Sequence, residues 1–444
     1  MTISKTDDFW AWKSWVDSAN DPAVGFPLQS LPYCSFVLPA NGDGSAHLGV
    51  GIGTFVLDLH DLCQTGLLAS LGSEIRTACG ASQLNQLMRS GPEAAAVLRQ
   101  DLVSLLSTEA SPAQQEAIAP MLVLAENVRF LKPVTVENYT DFYASIHHAT
   151  NVGKLFRPDQ PLLPNYKWIP IGYHGRASSL VVSGTAIRRP HGQIKPHTQD
   201  SPVFAATTQL DYEVEVAAYI GTRSQLGAPV SIANAESHIF GLSLLNDWSA
   251  RDIQSWEYQP LGPFLGKSFA TSISPWVIPM EALQPFRISP YSRPLGHPQP
   301  LSYLADSSDA QAGGIDMTLE VFLSTARMRA DSLPPARLST GNIRDLYWTF
   351  AQLIAHHTSN GCNLIEGDLL ASGTVSGPHE GSEGSLLEIT GRRSSPLRLH
   401  NGEVRTFLED GDEVTLRGFC EKIGFPRVSL GECKGAILSG MGAS

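Results

Sequence analysis

Four acidic residues in the middle of the chain have the types and spacing of a cation site. Glu213 and Glu215 stand two apart in DYEVEVAAYI, Asp247 lies in LLNDWSARDIQ, and Asp141 opens DFYASIHHATN. Residues two apart on a strand point to the same face. Carboxylates converging in this way offer the hard oxygen ligands that Ca²⁺ and Mg²⁺ take. His147 and His148 follow Asp141 closely, and a base beside a cation is the layout of metal-assisted chemistry. Spacing does not say which of the two histidines is the chemical one.

Each piece also has a plainer reading. In DYEVEVAAYIG, Tyr212, Val214 and Val216 make an apolar face, and Asp211, Glu213 and Glu215 the other. A half-exposed strand with a solvated acidic face shows the same alternation. Adjacent like charges repel, however, and a cation would relieve that. A helix starting at Asp247 would put Asp247, Arg251, Gln254 and Tyr258 on one face, as a mixed polar stripe or as a working surface. Pro260 and Pro263 end that helix, and Lys267 follows in a Gly-flanked turn. Arg251, Gln254 and Lys267 are donors able to stabilise a developing oxyanion. Arg157 could clamp a substrate carboxylate in bidentate fashion. Tyr173, His174 and Arg176 stand beside glycines that let backbone approach a ligand closely. EGDLLASGTVSGPHEGSEGSLLEIT reads as a strand, a Gly-rich loop holding Thr374, and a second strand entered by Glu388. Glu388 is either a strand-edge charge or a carboxylate that orients an imidazole.

Positioning these groups takes a β-rich scaffold. YCSFVLP, HLGVGIG and TFVLDLH alternate as strands, with the turn ANGDGS between the first two. Residues 1 to about 25 form an amphipathic lead-in. Residues 64–126 show helical spacing, and SPAQQEAIAP supplies the break that follows. A smaller N-terminal domain, 1–128, is therefore expected before a larger one, 129–444. In the larger part LVVSGTAI, YEVEVAAYIG, HIFGLSLLN, SPWVIP, MTLEVFLS, LLEIT and EVTLRGFC read as short strands of a mainly β domain, with one clear helix in IRDLYWTFAQLIAHHTSN. The Pro/Ser-rich segment 285–313 reads as a surface loop.

Bulk composition narrows the partners. The 444 residues carry 31 basic and 43 acidic side chains, a formal charge of −12, which argues against nucleic acid. An anionic substrate stays open, because a metal and a few arginines reverse the local field. No apolar run reaches membrane-spanning length, and the N-terminus lacks the pattern of a signal peptide. The six cysteines are dispersed without C-x-x-C, which reads as reduced thiols in a cytoplasmic protein without zinc.

Several long stretches carry a family likeness. FPLQSLPYCSF, DFYASIHHATNVG, LLPNYKWIPIGYHGRASSLVVSGTAIRRPHGQ, IFGLSLLNDWSARDIQSWEYQPLGPFLGKSFATSISPWV and NGCNLIEGDLLASGTVSGP closely resemble the fumarylacetoacetate hydrolase family in its long two-domain form. The resemblance implies a small SH3-like N-terminal β module with helices, a larger mixed β-sandwich roll, and a homodimer. It implies metal-dependent hydrolysis of 4-fumarylacetoacetate, a diketone with a carboxylate at each end, to fumarate and acetoacetate. Asp141, Glu213, Glu215 and Asp247 match the Ca²⁺ ligands of the family, His148 its general base, and Glu388 the partner of that base. Arg251, Gln254 and Lys267 match the oxyanion groups. Tyr143, Arg157, Tyr173, Gln254, Tyr258 and Thr374 match substrate contacts. A second, Mg²⁺ site is implied near Lys267 and Thr271. Ala270 stands there where the family commonly has Gly, so the backbone must adopt angles that Ala allows. Two rival readings remain: another β-diketone enzyme on the same scaffold, or a Ca²⁺-stabilised binding protein without catalysis.

Overall fold

Three layers, each built on a sheet of five or eight strands, place the residues named above. The structure is a computed structural model that describes residues 9–39, 44–196 and 198–440. Most of the turn ANGDGS and the first eight residues of the lead-in lie outside the described residues.

The three predicted N-terminal strands form as Tyr33–Val37, Ala46–Ile52 and Phe55–Asp58. Leu122–Leu124 and Arg129–Leu131 complete an antiparallel five-stranded sheet. The helical region between them is broken into short pieces, the longest being Gly91–Leu106. Gly66 and Gly91 take positive φ, a conformation that interrupts a helix. SPAQQEAIAP is not a break, contrary to the sequence reading. Pro112–Ile118 is itself a helix, started by a Ser111/Gln114 capping box with Pro at its first turn.

The central layer is an eight-stranded mixed sheet. Its order is Gly172–Gly175, Tyr139–Phe142, Leu369–Ala371, Val214–Ile220, Ile239–Asp247, Thr271–Ile273 and Leu180–Val182, with Ile278–Pro279 pairing beside Ile239–Asp247. The outer layer is a five-stranded sheet of Ala336–Asn342, Thr318–Ser324, Glu413–Cys420, Val428–Leu438 and Ile187–Arg188. Val428–Leu438 is the longest strand of the two, yet sequence reading missed it. Its Gly431 and Gly435 dilute the β-branched signal on which such readings depend.

The strand Val214–Ile220 is not half-exposed as its alternation suggests; every residue in it is buried. Val214, Val216, Ala218 and Ile220 pack into the core shared with the outer sheet, while Ala217 and Tyr219 pack into the core shared with the N-terminal layer. Glu213 and Glu215 are buried as well, so bulk water does not solvate their charges. Two more expectations are corrected. Asp247 ends a strand rather than starting a helix; the helix begins at Arg251 and runs to Glu257. Glu388 lies on a helical turn, Leu386–Ile389, capped by Ser385. The residues 285–313 are mainly exposed, but Leu304 within them is buried and Arg293 lies over the rings of Tyr347 and Trp348. Among the described residues no helix is long and apolar enough to cross a membrane.

Candidate active site

Strand ends converge where the central sheet offers its carboxylates. Asp141 is level with Ala371 on one neighbour and with Tyr173 on the other. Asp247 pairs with Thr271 across the next strand. This brings one carboxylate oxygen from each of Asp141, Glu215 and Asp247 within 4.8 Å of one another. Burial, then the facing Asp247, pushes the Asp141 carboxyl well above its usual range; burial, then Asp141 and Asp247, does the same to Glu215. Asp141 Oδ1 and Glu215 Oε1 are buried without a hydrogen-bond partner. Three converging carboxylates with two orphaned oxygens fit a hard, oxygen-liganded cation.

Donors surround the triad. The Tyr173 hydroxyl lies 3.0 Å from Asp141 Oδ2 and 2.8 Å from Asp247 Oδ2, bridging the two carboxylates with its single proton. Thr271 Oγ1 donates to Asp247 Oδ1 at 2.9 Å, and Lys267 Nζ to Asp247 Oδ2 at 2.8 Å. The Gly373 N–H donates to Glu215 Oε2 at 3.1 Å. Gly373 has φ +75°, and a Cβ there would lie 2.2 Å from the Phe142 carbonyl, so this close backbone approach needs glycine. Ala270 is not among the positive-φ residues, and its backbone carries no strain of that kind.

Glu213 stands apart from the triad. Its oxygens are taken by Arg251 Nη1 at 2.6 Å and by Lys267 Nζ. Burial opposes ionisation of Glu213, but Lys267 and Arg251 outweigh it and hold the carboxyl well below the usual range. Burial also opposes the Lys267 charge, and Asp247 and Glu213 outweigh it in turn. Six buried carboxylate side chains, counting Asp211 and Glu388, face only two buried lysine and arginine cations, Lys267 and Arg251. That imbalance is one a divalent ion would relieve.

Geometry places the two histidines in different surroundings. Ser145 caps the helix Ile146–Phe156 and turns His148 inward. His148 Nδ1 lies 2.6 Å from Glu388 Oε2, and Nε2 lies 3.8 Å from Glu213 Oε1. Glu388 also accepts from Asn151 at 3.0 Å, Ser376 at 3.0 Å and Ser385 at 2.9 Å. Burial raises its pKa, but His148 and these donors prevail and hold the carboxyl below its ordinary range. An ionised Glu388 only accepts, so the Nδ1 side of the ring is the donor in that bond, and the Nε2 side faces Glu213. His147 faces Tyr291 instead.

Arg251 and Gln254 meet at 3.4 Å. Tyr143 packs edge-on against His148 with centroids 5.3 Å apart. Among the described residues, Arg157, Tyr258 and Thr374 make no hydrogen bond to the carboxylates. Arg157 Nη2 reaches the Pro161 carbonyl and its Nε is buried without a partner; Tyr258 accepts from Gln259; Thr374 is buried in the loop behind Gly373. A cavity of about 180 Å³, lined by Tyr173, His174, Arg176 and Thr271 among others, reaches Asp247 and Lys267. A larger one, about 440 Å³, lies between Trp10 and Phe425, and none of the carboxylates of the site lines it. Sequence reading missed Asn151, Ser376 and Ser385, whose small polar side chains carry no signal until the fold brings them to Glu388.

Comparison with known proteins gives a consistent picture. Residues 137–433 match the family model of the fumarylacetoacetate (FAA) hydrolase C-terminal domain, and residues 29–133 that of the fumarylacetoacetase N-terminal domain. The fumarylacetoacetase of Dictyostelium discoideum is 44% identical over 96% of this chain and 98% of its own. Those of Bos taurus and Homo sapiens are each 43% identical at the same coverage. A solved fumarylacetoacetate hydrolase from the psychrophilic Exiguobacterium antarcticum shares the fold, with a TM-score of 0.50 over 92% of this chain and 100% of that one at 17% identity.

Proposed function

Because the chain belongs to the fumarylacetoacetate hydrolase family, we propose that it hydrolyses the carbon–carbon bond of 4-fumarylacetoacetate, giving fumarate and acetoacetate at the last step of tyrosine and phenylalanine breakdown. The observation that carries this reading is the His148–Glu388 pair, aimed at Glu213 with its two cations and standing beside the carboxylate triad.

Asp141, Glu215 and Asp247, with Glu213 as a fourth ligand, would hold a Ca²⁺ or Mg²⁺ ion whose Lewis acidity acts on the diketone oxygens and the enolate. By the family resemblance, backbone oxygens near Lys267 and Thr271 would hold a second, Mg²⁺ ion. His148 Nε2 takes a proton from water, and the hydroxide attacks the carbonyl carbon on the fumaryl side. Arg251, Gln254 and Lys267 stabilise the oxyanion. Its collapse breaks the C–C bond, and the electron pair leaves on the acetoacetate carbon as an enolate. The His148 imidazolium returns its proton to that carbon. The second proton of the water is released as the new fumarate carboxyl ionises. Tyr143, Arg157, Tyr173, Tyr258 and Thr374 hold the chain and its terminal carboxylates; the unpartnered Arg157 Nε supports a role for that residue in anion binding.

The test is loss of the ultraviolet absorbance of fumarylacetoacetate, with product identification, before and after chelation. Cleavage to the two acids, lost on chelation and regained on adding Ca²⁺ or Mg²⁺, is the expected result. Intact substrate with the fully metallated protein would overturn the reading and turn attention to other β-diketone acids.

A homodimer belongs to the same proposal. Phe204, Leu261 and Phe264 are 72%, 96% and 66% exposed on the hairpin and loop flanking the helix Arg251–Glu257. Exposed large apolar groups on elements that flank one helix are the kind of surface an interaction face uses. Light scattering at micromolar concentration is expected to give twice the chain mass, and the double variant Leu261→Asp/Phe264→Asp the mass of one chain. A wild-type monomer would remove the dimer. All six cysteines are free, which supports a reducing, cytoplasmic setting.

A further inference from the structure

Asp211 is the acidic residue of the DYEVE stretch to which the reaction scheme gives no part, and it is fully buried. Its backbone is paired with Ser249 beside the start of the Arg251 helix. Its side chain accepts four hydrogen bonds. Oδ1 takes the N–H of Tyr212 and of Leu386, each at 2.8 Å; Oδ2 takes Arg251 Nε at 2.9 Å and the N–H of Leu387 at 3.0 Å. Leu386 and Leu387 open the single helical turn that carries Glu388. One carboxylate thus grips both the guanidinium aimed at Glu213 and the turn that holds the partner of His148.

We propose that Asp211 is a positioning residue that locks Arg251 and the Glu388–His148 pair into one rigid unit. The physical case is one of acceptor count. Asp211 presents two oxygens to four donors arriving from three chain segments. Asn in its place would turn an amide N–H₂ toward two of those donors, and one segment would have to move. The turn of four residues is pinned at its start by Asp211, which takes its first two N–H groups, while Ser385 caps it and Glu388 is held at its far side by His148, Asn151 and Ser376. Misplacement of a catalytic group by about 1 Å costs on the order of 10²-fold in rate.

The inference rests on the proposed reaction only for its kinetic arm. That arm compares Asp211→Asn, Arg251→Lys and the double variant, each saturated with cation, in kcat and KM for fumarylacetoacetate. Asp211→Asn is expected to lower kcat about 10- to 100-fold, with KM within about threefold of wild type. The double variant is expected to fall no further than the worse single one. Independent effects that multiply, or an unchanged kcat, would overturn the proposal.

The second arm needs no substrate: the proton NMR signal of the short His148 Nδ1–H···Glu388 bond, expected far downfield in wild type. It should move or vanish in Asp211→Asn while far-ultraviolet circular dichroism and cation binding by calorimetry stay as in wild type. It should persist in Arg251→Lys, where Asp211 still holds the turn. A signal untouched by Asp211→Asn, or lost in Arg251→Lys, would overturn the proposal even for a protein that acts on a different diketone. Should Asp211→Asn fail to fold, Asp211→Ser, which leaves room for water, is read in the same way.

Discussion

Replacing His148 with Ala is expected to lower kcat for fumarylacetoacetate by about 10²- to 10⁴-fold, the range for loss of a positioned general base. Geometry directs this imidazole from both sides: Nδ1 lies 2.6 Å from Glu388, and Nε2 faces Glu213 at 3.8 Å. Neither the cation nor the fold should be lost with it. Glu388 would keep Asn151, Ser376 and Ser385 as donors, so its buried charge is not abandoned. KM should change far less than kcat, since the base acts on water and not on the substrate. Glu388→Gln should cost less than His148→Ala, because it loosens the imidazole but leaves it present. Steady-state kinetics alongside calorimetric titration of Ca²⁺ checks both statements. A His148→Ala enzyme within fivefold of wild type would take His148 out of the mechanism.

Asp247→Asn should abolish activity at ordinary cation concentrations, by a different route. Asp247 lends one oxygen to the triad and also accepts from Tyr173, Lys267 and Thr271. Removing a group that merely supports a metal ligand costs about 10- to 100-fold in affinity. Loss of a ligand charge at the centre should exceed that. The shape of Asn preserves the packing, so the protein should fold and its activity should partly return as the cation is raised to millimolar levels. Equal cation affinity in wild type and variant would falsify the assignment of Asp247 to the cation. An inactive variant with wild-type affinity would instead place Asp247 in the chemistry itself.

The sequence carried the acidic residues and the donors well, because residue type is a local signal, but it left Gly172–Gly175, Tyr139–Phe142 and Thr271–Ile273 of the central sheet unread. Glu413–Cys420 matches its predicted stretch residue for residue, since alternation there reflects one buried face. The central strand deceived for the opposite reason. Sandwiched between two cores, it buries both faces, and its acidic side becomes a desolvated cluster where a solvated edge was the simpler reading. The segment LLEIT reads as a strand from composition, yet Ser385 and Asp211 supply caps that make it a helical turn. Propensity is a weak prior when tertiary donors and acceptors decide the ends of an element.

By itself the sequence determined which chemistry was within reach: carboxylates for a hard cation, two candidate bases, three oxyanion donors, and a family likeness strong enough to name a reaction. Tertiary structure alone decided how those groups divide the work. It brought His148 and not His147 to Glu388, because Ser145 sets the start of their helix and the Glu388 turn approaches only one of the two rings. It drew Asp141, Glu215 and Asp247 into a triad while giving Glu213 to Arg251 and Lys267. It also turned Asp211 from one more acidic residue on a strand into the joint between two halves of the site. The physical reason is the same in each case. Residue type sets what a group can donate or accept, but partners 40 to 240 positions away in the chain meet it only when the sheet is formed.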